Sequence, residues 1–223
     1  MSIPVLIIGV SGTGKSTSLR NFDPADVLLI QIIPKKLPFP GAKNWKVFHK
    51  DKEPTGNTVV TEDSDVIMKL MRGTRRKIIV IDDFQYMLAN EFMNRSAETG
   101  FQKFTDIGKH AWEVIGAASK LSEDKRVYFL SHSDEADDGR TKMKTIGKLL
   151  DEKISPEGMF TIVLKTVVDG DKYFFSTRNS GNDVVKAPMG LFDDARIDND
   201  LAAVDAAICD YYDINEPTEQ EAA

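Results

Sequence analysis

Gly9-Val10-Ser11-Gly12-Thr13-Gly14-Lys15-Ser16 decides how this chain reads. It fits G-x-x-x-x-G-K-[ST], the pattern of a phosphate-binding P-loop. The apolar run Val5-Leu6-Ile7-Ile8 before it reads as a buried strand, and Ser16-Thr17-Ser18-Leu19-Arg20 after it as the opening of a helix. The glycines let the backbone curl so that successive N–H groups point inward at phosphate oxygens. A helix N-terminus there would add its positive dipole end. In such a loop Lys15 reaches the outer phosphates and the Ser16 hydroxyl ligates Mg²⁺. The candidate nucleotide-binding residues are Gly9, Ser11, Gly12, Thr13, Gly14, Lys15, Ser16 and Thr17, and the expected ligands are ATP and Mg²⁺.

The second landmark is Ile78-Ile79-Val80-Ile81-Asp82-Asp83. An apolar run ending in an acid reads as a central parallel strand that delivers a carboxylate to a crevice. Downstream of the glycine-rich loop, Asp82 is the expected second metal-side group beside Ser16. Asp83 either orients or deprotonates the attacking water, or caps the helix that follows. Val127-Tyr128-Phe129-Leu130-Ser131-His132 is another buried strand. Its last residue, His132, is either a sensor of the γ-phosphate or a structural histidine. Val27 to Ile33 is a further strand, ending at Pro34. Lys35 and Lys36 open a stiff loop there, either as a solvated tip or as contacts to phosphate or DNA.

Alternation of buried strands with helical patterns gives the fold class: α/β, with a mostly parallel central sheet flanked by helices and a late antiparallel hairpin. Ser64 to Gly73 and Thr105 to Leu121 carry helical periodicity, and Asp198-Asn199-Asp200 caps a last helix, Leu201 to Tyr211. A short strand is expected around Trp45, Val47 and Phe48, followed by a surface loop to Thr61, and a short helix over Ile146 to Ile154. In the late hairpin Asp169-Gly170 is the expected turn, which puts Leu164 opposite Phe175 and Lys165 opposite Phe174. Lys165, Lys172 and Arg178 share its other face, either solvated or aimed as a finger at a neighbouring subunit's nucleotide. Ser133 to Ile146 reads as a long loop, acidic first and then basic. Arg140, Lys142 and Lys144 in it are the candidate contacts to nucleic-acid phosphates, or simply a solvated stretch.

Composition sets the bounds. The chain has 223 residues, 41% hydrophobic and 29% charged, which suits one domain over residues 1–214 with an acidic, frayed tail at 215–223. Its net charge of −6 excludes a uniformly basic coat, though not a local basic patch. The single cysteine, Cys209, rules out an intrachain disulfide and suits a reducing compartment. No apolar run approaches ~18 residues, so no membrane span is expected. Met1-Ser2-Ile3-Pro4 lacks a signal-peptide charge pattern, and a cytoplasmic location follows.

Taken together, Gly9–Ser16, Ile78–Asp83, the strand ending at His132 with its following loop, and the hairpin through Arg178 resemble the compact RecA-like P-loop ATPases of bacteriophages. The Sak group of single-strand annealing and recombination proteins is among them. The resemblance implies a Mg²⁺-dependent ATPase acting on single-stranded DNA in phage recombination or replication. It also implies a homo-oligomer with nucleotide at subunit interfaces, located in the host cytoplasm if the chain is phage-encoded. By it, Lys15, Asp83, His132 and Arg178 are the candidate catalytic set, and Arg140, Lys142 and Lys144 fall in the DNA-binding loop. The chain departs from the pattern at one place. RecA-type proteins carry a glutamate at the end of the strand after the P-loop helix; here that strand ends in Gln31, with Pro34-Lys35-Lys36 beyond it. The alternatives on the same core are a nucleotide or small-molecule kinase, and an ATP-switched loader of a replication partner.

Overall fold

The four apolar runs become the centre of one sheet. A computed structural model describes residues 1–147, 150 and 153–214. Its strands are β1 (Ile3–Gly9), β2 (Val27–Gln31), β3 (Thr58–Val60), β4 (Ile78–Asp82), β5 (Arg126–Glu135), β6 (Thr141–Met143), β7 (Ile162–Asp169), β8 (Lys172–Ser176) and β9 (Arg196–Asp198). They lie in the order β3-β2-β4-β5-β1-β7-β8-β9, with β6 paired to the far end of β5. From β3 to β7 all neighbours are parallel; β8 and β9 are antiparallel. β5 therefore stands between β1, which feeds the glycine-rich loop, and β4, which carries Asp82. The C-terminal ends of all three open on one edge of the sheet, where ligands of open α/β sheets sit.

Both faces of the sheet are covered, which is why its central strands are apolar throughout. The helices are α1 (Ser64–Gly73), α2 (Gln85–Asn94), α3 (Gln102–Ser119) and α4 (Leu201–Tyr211). Leu6, Ile8, Ile79, Ile81 and Phe129 point to α1–α3, where they meet Ile67, Met71, Leu88, Ile107 and Val114. Val5, Ile7, Val80, Tyr128 and Leu130 point the other way, to Leu19, Leu201, Val204 and Ile208. α4 is capped by Asp200, whose carboxylate accepts from the Ala202 and Ala203 amides. A buried ion pair also holds it: Arg126 donates to both oxygens of Asp205 at 2.9 and 2.7 Å, and the Tyr128 hydroxyl adds a bond of 2.5 Å. Cys209, on the same helix, is only partly buried. No helix among the described residues is long and apolar enough to cross a membrane.

Several local expectations are refined or corrected. The helix expected to open at Ser16 does so, as a 3-10 helix of six residues, Ser16–Asn21. Ser16, Thr17 and Ser18 compete for backbone groups, as Ser18 Oγ does by donating to the Lys15 carbonyl at 2.6 Å, and Asp23-Pro24 follows at once. The strand expected near Trp45 falls instead at Thr58–Val60, while Val47 makes only an isolated bridge to Thr58. Val47 and Phe48 stay about half exposed, so no apolar burial favours a strand there. The long loop after His132 is a hairpin: β5 runs on to Glu135, turns through Gly139 at φ +81°, and returns as β6. In the late hairpin the turn is Gly170-Asp171, with Thr166 opposite Phe175 and Val167 opposite Phe174. Gly170 takes the left-handed φ of +59°. The two-residue shift leaves every side chain on its expected face. The helix expected over Ile146–Ile154 lies partly outside the described residues, and the tail from Asn215 lies wholly outside them.

Candidate functional site

The glycine-rich loop is shaped by what presses on it. Gly12 and Gly14 have φ of +79° and +96°, a region that L side chains occupy only under strain. Gly9 is glycine for a different reason. A Cβ there would stand 1.8 Å from Thr166 Oγ1 of β7, because β1 and β7 run side by side to the sheet edge. The Thr166 and Thr13 hydroxyls meet at 2.5 Å, and Thr13 donates to the Val10 carbonyl at 2.7 Å. Lys15 folds back over the loop, donating to the Gly9 and Val10 carbonyls at 2.7 and 2.8 Å. Burial pulls its pKa down to about 8, against the opposing pull of Asp83 and Asp82.

Opposite the loop stand the two acids. Asp82 is fully buried at the end of β4, and Ser16 Oγ lies 3.0 Å from both of its oxygens. Burial, helped by the neighbouring Asp83, raises the Asp82 pKa, while Lys35 and Ser16 oppose the rise. Asp83 has φ of +63°, so the chain reverses there and throws its carboxylate into the crevice. It does not cap α2, whose first turn follows Phe84 with no side-chain cap. Instead Asp83 Oδ2 accepts from Lys35 Nζ at 2.5 Å, and the same ammonium is 3.6 Å from Asp82. Burial of the Lys35 head works against its charge, but the two acids outweigh this and raise its pKa. Gln31 stands where the resemblance expects a glutamate. It neighbours Asp82 in register, and its amide donates to the Lys35 carbonyl at 3.1 Å.

His132 completes the crevice from β5, level with Gly9 in register. Its Nε2 is 3.6 Å from Asp83 Oδ1, too far for a hydrogen bond. Burial and the nearby Lys15 lower its pKa, so the ring is neutral near pH 7. Gln85 positions it from behind: Gln85 Oε1 accepts from the His132 amide at 2.9 Å and from Ser131 Oγ at 3.3 Å. The resulting crevice, about 360 Å³, is lined by Ser11, Gly12, Gly14, Lys15, Ser16, Thr17, Lys35, Asp83 and His132 among others. Four separate segments of the chain thus converge on one volume.

Other expected residues lie elsewhere. β8 runs away from the crevice, and Arg178, two residues past its end, donates to the Asp193 carbonyl. The chain does not bring Arg178 to its own crevice. Lys165 is held by the buried Asp183 at 2.8 Å, so it does not project as a free finger. Arg140 and Lys144 are on the β5–β6 hairpin, where acids compensate them: Arg140 pairs with Asp138 at 2.7 Å, and Lys144 Nζ is 3.9 Å from Asp134. Lys142 stands opposite Asp134 in register. The hairpin is nevertheless joined to the crevice, since the Lys144 amide donates to the His132 carbonyl at 2.8 Å. Sequence reading gave no site role to Thr166 or Gln85, and marked Gln31 only as the place of a missing glutamate. The contact of Thr166 with Thr13 spans 153 positions and that of Gln85 with His132 spans 47, and neither leaves a local trace.

The donor set suits Mg²⁺. A hydroxyl and a buried carboxylate converge as hard oxygens, which matches a small cation that takes its remaining places from phosphate and water. Among the described residues no group of three or more His, Cys, Asp or Glu could hold a metal by itself. Comparison with protein-family models finds no match to this chain, and comparison with curated proteins finds none either.

Proposed function

We propose that this chain is a Mg²⁺-dependent, RecA-like P-loop ATPase. The observation that carries the reading is the 3.0 Å approach of Ser16 Oγ to both oxygens of Asp82, across a crevice walled by the glycine-rich loop. Ser16 and Asp82 hold Mg²⁺, and the ion supplies neutralisation of charge on the transferred phosphoryl group. Lys15 exchanges the Gly9 and Val10 carbonyls for phosphate oxygens. Asp83 accepts the proton of the attacking water, the role left open by Gln31. His132 faces the γ-phosphate as a neutral hydrogen-bonding group.

We further propose that the chain acts on single-stranded DNA in phage recombination or replication. What favours this is the bond between Lys144 and His132, which ties a hairpin bearing Arg140, Lys142 and Lys144 to the nucleotide crevice. A bound γ-phosphate that moves His132 then moves the hairpin. A homo-oligomer with nucleotide between subunits would let a partner supply the finger that Arg178 does not give in cis. The test is ATP turnover by the full chain with and without single-stranded DNA, alongside Lys15→Ala. Turnover stimulated by DNA and abolished in the variant supports the reading. Transfer of labelled γ-phosphate to a nucleoside monophosphate rather than to water replaces it with a kinase. No DNA binding at low salt, with or without ATP, removes the DNA half.

A further inference from the structure

Two adjacent carboxylates at a crevice need a counter-charge, and Lys15 and Lys35 both act electrostatically on them. Lys15 is turned away, onto the Gly9 and Val10 carbonyls. Lys35 is the one in place, 2.5 Å from Asp83 and 3.6 Å from Asp82. Its backbone is fixed: Gln31 holds its carbonyl, and Pro34, Pro38 and Pro40 stiffen the loop. Its side chain is not fixed to the same degree, since it is 36% exposed and has a flexible four-carbon stem. Ser16 Oγ lies 3.0 Å from both Asp82 oxygens, Oδ2 facing Lys35 among them, so a divalent cation beside Ser16 would share this carboxylate with the ammonium. An ammonium and a divalent cation on one carboxylate oxygen repel each other at close range.

We propose that Lys35 is a resident cation of the Asp82–Asp83 pair, displaced when a divalent cation binds beside Ser16, and that its freed ammonium then engages the terminal phosphate of the nucleotide. This rests on the nucleotide-binding reading above. Lys35 lines the same crevice as Gly12, Lys15 and Thr17, and its flexible stem lets the freed ammonium swing toward an anion seated on the loop. The exchange has a consequence for Asp83. While Lys35 is bound to it, one Asp83 oxygen is occupied by the ammonium; once the lysine leaves, that oxygen is open to a water molecule. Lys35 thus joins metal entry to exposure of the base, and it contacts the substrate on the phosphate side.

The experiment uses the full chain with Lys35→Gln and, as a charge-retaining control, Lys35→Arg. The first arm measures binding of Mn²⁺ alone, without nucleotide, by electron paramagnetic resonance. Lys35→Gln tightens Mn²⁺ binding by about tenfold or more, as removal of one unit charge beside an ion site implies, and Lys35→Arg matches the wild type. Equal or undetectable Mn²⁺ binding in wild type and Lys35→Gln overturns the displacement. The second arm measures the affinity ratio of ATP to ADP in saturating Mg²⁺. Lys35→Gln lowers that ratio by about tenfold, through loss of one charge-assisted contact to the γ-phosphate. An unchanged ratio overturns the phosphate contact. A chain that binds no nucleotide at all fails the functional reading and the phosphate contact together, whereas the Mn²⁺ arm still judges the displacement by itself.

Discussion

Gly9→Ala tests whether β7 shapes the glycine-rich loop. A Cβ at position 9 would lie 1.8 Å from Thr166 Oγ1 and 2.8 Å from Thr13 Oγ1. Relief to an ordinary contact of about 3.4 Å requires a shift of about 1.6 Å (3.4 minus 1.8), far more than a packed interior yields without strain. The register from Val5↔Ile162 to Ile8↔Lys165 pins the two strands, so the shift falls on the loop or on the Thr166 rotamer. Overpacking of this kind costs about 1–3 kcal/mol, and loss of the Thr13–Thr166 bond adds about 1 kcal/mol, for a total of about 2–4 kcal/mol. Thr166→Ala alone loses only the bond, about 1 kcal/mol. The double variant Gly9→Ala/Thr166→Ala removes the clashing hydroxyl and returns close to Thr166→Ala, a coupling of about 2–4 kcal/mol in magnitude. Urea unfolding followed by circular dichroism reads all four forms. Gly9→Ala within about 0.5 kcal/mol of wild type, or a double variant that is simply additive, refutes the account, since independent sites add to within that error.

Asp205→Ala strands the buried Arg126 guanidinium and lowers stability by about 3–5 kcal/mol, whereas replacing both partners with apolar residues costs much less; urea unfolding separates the two. Lys15, with its pKa brought down mainly by burial to about 8, keeps its proton below that pH and loses it above. ATP affinity by calorimetry is therefore flat up to pH 8 and falls about tenfold per unit beyond it, and a flat profile to pH 10 contradicts the placement of Lys15. Asp83→Asn lowers single-turnover hydrolysis by about 10²–10⁴-fold while ATP binding persists, and wild-type turnover in this variant removes Asp83 from the proton transfer.

The parts of this fold that show in the sequence are those whose signal is local. Val5–Ile8, Val27–Ile30, Ile78–Ile81 and Val127–Leu130 are buried on both faces and so read as unbroken apolar runs. The helix around Val114 shows through its period. Asp82 shows because an acid ends an otherwise apolar strand. What does not show is decided by distant partners or by a single backbone angle. The paired segment of the β5–β6 hairpin carries polar residues on both strands and buries only Met143 in the core, so nothing in its pattern separates it from a loop. The late hairpin shifts by two residues because Gly170, not Asp169, begins the turn. Asp83 reads either as a water-activating acid or as a helix cap, and only its φ of +63° and its place in the crevice lining separate the two. Lys35 lies 48 residues from Asp83, and only the parallel pairing of β2 with β4 makes the two neighbours.

The central claim is that Gly9–Ser16 and Asp82 form one Mg²⁺–nucleotide site. Equilibrium binding of ATP to the full chain, with Mg²⁺ titrated and with Lys15→Ala and Asp82→Asn beside the wild type, tests it most directly. The account predicts saturable one-site binding that strengthens with Mg²⁺, is lost in Lys15→Ala, and loses its Mg²⁺ dependence in Asp82→Asn. Binding that is absent in the wild type, or that is the same in all three proteins, contradicts it.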